Sequence, residues 1–384
     1  DDCDTDVDED GDVVDGNTYY IDSDTDGLGD ESSSISACSA PSGYADNSYD
    51  CDDADNAEPV VADQSLGSSS GSGTLADPYD SIQDAIDKAA SCVVVYAGTY
   101  KENIDLGSKS LDIWGVEGED LTLIDGDGST CTSSSPSGCE PTVTIASGAS
   151  SSPTLHGFTI TGGTGYMTSS TSTETCADSS GDSCTVTIYE YCGGGVYVDG
   201  DDPILYDISI DNNELPVFEQ TAVGSYSQYW LYSYGGGMCI KNGNVDLDNV
   251  WVYDNYADQG GGIYLDDSAT LSISNTAVVE NEAEDGAGIN LDGSSSLSAS
   301  NAAIGCNDAG TDGGGLFIQG SSVATLVNAA LFEDTSSTGS THGAGIYAES
   351  STTLSMMNTI VVTNIAAYAV YGSGSNSFHV RFCL

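Results

Sequence analysis

The chain has 384 residues, of which 61 are acidic and five are basic, namely Lys88, Lys101, Lys109, Lys241 and Arg381, for a formal charge of −56 at pH 7. Neutralising nucleic-acid phosphates takes clusters of Lys and Arg, so no nucleic-acid partner is expected. Self-repulsion at this charge calls for screening by salt or bound cations, which implies divalent metal or a saline habitat.

The twelve cysteines lie in a chain rich in Gly, Ser, Thr and Asp, and none forms the paired CxxC spacing of a zinc site. Disulfides formed in an oxidising compartment are the better reading, which implies a secreted, extracellular or cell-surface protein. No run of about 18 apolar residues could span a bilayer, so no transmembrane segment is expected. There is no signal peptide, and the chain starts at Asp1 rather than Met, as a mature or trimmed segment would. No Asn-x-Ser/Thr sequon occurs, whereas the Ser/Thr runs would permit O-linked glycans.

Residues 1–63 hold 21 acidic residues and no Lys or Arg, with Asp at alternate positions and neither helical nor strand periodicity. So little apolar surface cannot offset the entropy of ordering, and metal must do so instead. Two loops fit that chemistry. Asp6, Asp8 and Asp10 precede Gly11 and Asp12, with Asp4 just ahead; Asp22, Asp24 and Asp26 precede Gly27 and Asp30. Alternate carboxylates with a turn glycine let one loop wrap a hard cation in oxygen, and calcium is the expected ion. Asp52, Asp53 and Asp55 offer a third group. Residue 12 of the second loop is Ser33 where an EF-hand carries a bidentate Glu.

Residues 64–78 have the composition of a linker. Ser81 then caps a short predicted helix, SIQDAIDKAA, whose Ile82, Ala85, Ile86 and Ala89 form one apolar stripe suited to a lid. From Cys92 the pattern changes to short β-rich bursts bounded by Gly, Asp or Ser. A repeat follows: GGGVYV at Gly193, GGGMCI at Gly235, GGGIYL at Gly260, GAGINL at Gly286, GGGLFI at Gly313 and GAGIYA at Gly343. In phase with it, Asn249, Asn275, Asn301, Asn328 and Asn358 recur, and six residues later come Asn255, Asn281, Asn307, Asp334 and Asn364. A unit of about 25 residues with several short strands and Asn at its turns is the signature of a solenoid. The reading is a right-handed parallel β-helix over residues 79–384, with three strands per coil, aliphatic ladders inside and glycine at a sharp corner.

Two units are longer than the rest, with insertions at about 164–192 and 214–234 that should leave at one corner. The second concentrates Phe218, Tyr226, Tyr229, Trp230, Tyr232 and Tyr234. It is either a recognition surface or a loop packed on its own domain. Cys131 and Cys139 close a short loop, two of Cys176, Cys184 and Cys192 are candidates to staple the first insertion, and the pairing of Cys239 and Cys306 stays open.

The stretch from Tyr19 to Pro59 resembles the MopE-type and thrombospondin type 3-like Asp-rich repeats of bacterial surface proteins. That resemblance implies Asp22, Asp24, Asp26 and Asp30 as ligands, Cys38 paired with Cys51, and further oxygens from Asp52, Asp53 and Asp55. The coils resemble pectin-lyase-like β-helices, and their GGGI, GAGI, VYDN, VVEN and VVTN motifs are similar to the GGA[ILV] and FxxN repeats of chlamydial polymorphic outer-membrane proteins. Lyases of that fold resemble one another in pairing calcium with an Arg or Lys base, yet here Lys241 is the only Lys within the repeat block. Candidate hydrolytic acids such as Asp246, Asp248, Asp254, Asp266 and Asp267 look like ordinary turn acids, and His156, His342 and His379 form no triad. The expectation is therefore a calcium-stabilised structural or adhesive protein that is not an enzyme. Its expected partners are further copies, added head-to-tail or by donor strand, or a surface or glycan. The alternative is a polysaccharide-active enzyme or carbohydrate-binding protein of the same fold.

Overall fold

The computed structural model describes residues 17–25, 27–50, 59–126, 131, 138–146, 151–175, 183–216, 220–222, 227–336, 343–349, 351–362 and 368–381. It divides into two compact units, Asp1–Gly98 with Leu111–Val116, and Thr99–Ser110 with Glu117–Leu384.

In the first unit, strand Asn17–Ile21 pairs antiparallel with Asp30–Ala37 and with Tyr44–Ala45. The intervening acidic loop is tied down by backbone bonds from Asp22 N–H to the Gly43 carbonyl and from Asp50 N–H to the Gly29 carbonyl. Asn47 Nδ2 adds a bond to the Gly27 carbonyl at 3.1 Å. Val60–Ala62 pairs parallel with Cys92–Val95, which pairs parallel with Asp112–Gly115. The helix spans Ile82–Lys88; Ser81 accepts from the Asp84 N–H at 3.2 Å, and Ile82, Ala85 and Ile86 are buried as the stripe predicts. Residues 63–79 fold tightly, with Asp63 accepting from the Ser65 and Leu66 N–H groups and Tyr79 N–H bonding the Val61 carbonyl.

The second unit is the predicted solenoid. Val196, Met238, Ile263, Ile289, Leu316 and Ile346 superimpose in parallel register, and all six are fully buried. The sequence interval of the glycine motif is thus the length of a coil. The glycine corner needs a left-handed backbone, as at Gly260 with φ +61°, and leaves no room for a side chain, since a Cβ on Gly262 would lie 2.6 Å from the Gly288 carbonyl oxygen.

A regular coil carries four strand segments, not three. Ile263–Asp266 is followed by Thr270–Ser274, Ala277–Val279 and Glu282–Asp285. The extra break comes from Asn275, whose φ of 50° bends one long side in two; Asn301, Asn328 and Asn358 do the same in their coils, and Asn249 bends the continuous strand Asn244–Tyr253 at the same point. The second Asn series is fully inside: Asn213, Asn255, Asn281, Asn307 and Asp334 are at most 1% exposed and bonded to one another in sequence.

Both insertions extend one side of the coil as regular sheet. Tyr166–Thr175 and Ser183–Cys192 form an antiparallel hairpin, and Ser183–Cys192 pairs parallel with Ser227–Tyr234 from the second insertion. The Cys131–Cys139 disulfide forms as expected. Cys192 does not staple its own insertion: it lies across the glycine corner from Cys239, one coil on, and is bonded to it, while Cys306 is a free thiol. Cys38 is disulfide-bonded. Cys51, Cys176 and Asn364 lie outside the described residues. Among the described residues no helix is long and apolar enough to cross a membrane.

Candidate functional site

The strand Asn244–Tyr253 builds the site. Val245 and Leu247 point inward, but the left-handed turn at Asn249 shifts the alternation by one, so Val250 and Val252 point inward and Trp251 and Tyr253 outward. Trp251 stands between Ser209 and Ala277 of adjoining coils, and Tyr253 stands between Asp211 and Val279. These small neighbours leave the Trp251 indole 52% exposed.

A loop ahead of strand Thr122–Asp125 brings Glu119 and Asp120 over the same face. Thr159 Oγ1 donates to the Glu119 carbonyl at 2.8 Å and fixes that loop. Glu119, Asp120, Ser209, Trp251, Tyr253, Val279 and Glu280 together line a cavity of about 390 Å³. The hydrogen bond from Tyr253 to the Asp211 carboxylate, partial burial, and the charges of Asp211, Asp254 and Asp120 hold its phenol above the ordinary range. Tyr253 is therefore a neutral group at physiological pH. The wall pairs an aromatic platform with carboxylate acceptors, and among the described residues it has no Lys or Arg.

None of the candidates read from sequence lines this wall. Asp254 follows Tyr253 in a left-handed conformation and acts on it by charge. Asp248 lies on the far side of the Asn249 bend; bonds from Ser274 and then Asn275 hold its carboxyl below the usual range. Asp266 is half-buried, and that burial raises its carboxyl. His156 stacks on Tyr206, 4.3 Å between ring centroids. In the aromatic insertion, Leu231 joins a small core with Tyr191, Leu215 and Ala257, and Tyr234 packs on Tyr264. That segment packs substantially on its own unit. Phe218, Tyr226 and His342 lie outside the described residues.

Of the expected calcium ligands, Asp22, Asp24 and Asp30 are described, and Asp4, Asp6, Asp8, Asp10, Asp12, Asp26, Asp52, Asp53 and Asp55 are not. Among the described residues no three His, Cys, Asp or Glu side chains converge on a point. Asp22 Oδ1 is nevertheless buried and accepts no hydrogen bond. A buried carboxylate oxygen in that state fits a hard cation.

No curated protein matches the chain in sequence. Among solved structures it is similar to a pectin methylesterase from Aspergillus niger, with 13% identity over 85% of this chain and 86% of that one at a TM-score of 0.40. A pectin methylesterase from Erwinia chrysanthemi gives 12% identity over 83% of this chain and 92% of that one, at 0.42. A lacto-N-biosidase from Eubacterium ramulus gives 11% over 84% and 67%, at 0.30. These neighbours are enzymes by name, which runs against the expectation of a chain that is not an enzyme; the likeness itself is one of fold. The missing basic residue, on which that expectation rested, bears only on a lyase's base. An adhesive or filament-forming role finds no support among them. The model of the right handed beta helix region matches residues 113–341, more than half of the chain. The stacked parallel coils agree with that match, and the chain belongs to the right-handed β-helix family.

Proposed function

We propose that the groove around Trp251 binds a polysaccharide and that the chain acts on it through carboxylate chemistry. The observation that carries this reading is the half-exposed indole of Trp251 beside Tyr253, in one cavity with Glu119, Asp120 and Glu280. An aromatic face takes the apolar face of a sugar ring, and carboxylates accept its hydroxyls. Carboxylates from two parts of the chain are also the equipment of glycosidic hydrolysis, one as acid and the other as base or nucleophile. Asp120 and Glu280 are the residues proposed for those roles. With a net charge of −56 and no basic residue in the wall, the glycan is neutral or amine-bearing, since a polyuronate would be repelled. Disulfides and the excess of acid fit an extracellular setting. The test is release of reducing ends from a panel of neutral and deacetylated polysaccharides. Activity in the wild type, lowered about 100-fold or more by Asp120→Asn or Glu280→Gln, supports the reading. No release and no binding across the panel overturns it.

We also propose that calcium holds the loop of residues 22–30, with Asp22, Asp24 and Asp30 among its ligands. The buried, unbonded Oδ1 of Asp22 supports this.

A further inference from the structure

The interior Asn ladder has one rung of a different chemistry. In each Asn rung the side-chain Nδ2 donates to the next rung and to a backbone carbonyl of the adjoining side: Asn213 to Ile160, Asn255 to Ile210, Asn281 to Val252 and Asn307 to Val278; Asn255 and Asn281 also share a hydrogen with the Tyr253 and Val279 carbonyls of their own coils. Those carbonyls belong to one register column, and the column continues to Ile304. The rung that should donate to Ile304 is Asp334, and an ionised carboxylate has no hydrogen to give.

Asp334 is 0% exposed. Its Oδ1 accepts the Asn307 N–H at 3.2 Å and the Asn307 Nδ2 at 3.0 Å. Its Oδ2 is buried without a partner and packs at the Gly315 corner. Among the described residues no ion pair compensates it. Burial is the main influence on this carboxyl and raises it to about 7, while the two Asn307 bonds pull the other way. Neighbouring acids point elsewhere: Glu333 meets the Cys306 thiol and Asp308 meets the Thr335 hydroxyl.

We propose that Asp334 is a proton-holding rung, with a proton on Oδ2 directed at the Ile304 carbonyl, so that the β-helix is at full stability only while that proton is bound. The protonated acid reproduces the two functions of an Asn amide, accepting through Oδ1 and donating through the other atom. Loss of the proton leaves a buried charge and removes the donor. Because the folded value lies above the ordinary one, this contribution is complete below about pH 4 and is lost as pH rises through about 7. The chain would thus carry an acid-stabilised catch in its C-terminal coils.

The test compares equilibrium unfolding of the wild type and Asp334→Asn from pH 4 to 9 in high salt, which screens surface repulsion. The two should unfold alike near pH 4. The variant should gain with rising pH, up to about 1000-fold in its unfolding equilibrium at pH 9, as a displacement of roughly three pH units implies. Parallel profiles overturn the proposal, and so does a variant that fails to fold, since Asn fills the four other described rungs. An independent reading is the infrared difference spectrum of the wild type minus Asp334→Asn at pH 6, which should show the band of one protonated carboxylic acid. A difference spectrum without that band is equally decisive against the proposal.

Discussion

Asn255 donates its side-chain Nδ2 to the side-chain Oδ1 of Asn281 at 3.0 Å, and Asn281 hands the same bond on to Oδ1 of Asn307 at 3.1 Å. Asn281 also donates to the Val252 and Val279 carbonyls, so one side chain satisfies groups on three coils. Replacing it with Ala strands several of these at once. Each buried group left unsatisfied costs about 1–3 kcal/mol, so Asn281→Ala should lose at least about 3 kcal/mol in denaturant unfolding. Asn275→Ala, at an exposed bend, should lose less, chiefly the strain of holding a non-glycine, non-Asn residue at positive φ.

The Cys192–Cys239 disulfide spans 47 residues and ties the first insertion to the coil above it. Cross-linking a loop of this size restricts the unfolded chain, a contribution of roughly 4 kcal/mol, against about 3 kcal/mol or less for Cys131–Cys139, which spans eight residues. The double substitution Cys192→Ser with Cys239→Ser should therefore lower the melting temperature more than Cys131→Ser with Cys139→Ser. Calorimetry of the two variants under non-reducing conditions checks this.

How much of the protein was legible in its sequence follows from what each position demands. The glycine corner and the two Asn series require a backbone or a hydrogen-bond pattern that one residue type supplies best, so they recur as letters and could be counted. Aliphatic positions such as Ile263 and Ile289 follow the same interval. The groove could not be counted. Its members run from Glu119 to Glu280 and meet only because coils stack, and nothing in the sequence specifies how the loop at Glu119 crosses the face. One local signal was available: in NVWVY, Trp251 and Tyr253 alternate with Val250 and Val252, which places two large aromatics outward. The aromatic insertion drew attention instead because it is richer in Tyr, yet Leu231 and Tyr234 are spent on packing. Asp334 was visible as an exception in the Asn series, but its burial was not.

Calcium makes a prediction confined to one unit. Chelation should lower the thermal stability of the unit containing residues 17–50 and leave the coil unit's transition unchanged. Asp22→Asn should weaken calcium binding about tenfold or more, by removal of a charged ligand. Metal analysis with two-transition calorimetry reads both. A chelator with no effect on either transition contradicts calcium there.

Tyr253 offers a check on the chemistry of the groove. Its phenol is held up by the bond to Asp211, so ultraviolet titration should find one tyrosine that ionises later in the wild type than in Asp211→Asn. Since the neutral phenol is the working form, glycan affinity should be flat from pH 6 to 9 as far as Tyr253 is concerned.

The central claim, a glycan groove built on Trp251, is tested most directly by calorimetric titration of neutral and amine-bearing oligosaccharides into the wild type and Trp251→Ala. Binding by the wild type, weakened about 30-fold or more in the variant, is the predicted result, as for an aromatic anchor at the centre of a contact. Equal affinity in the two proteins would place the ligand elsewhere and contradict the claim.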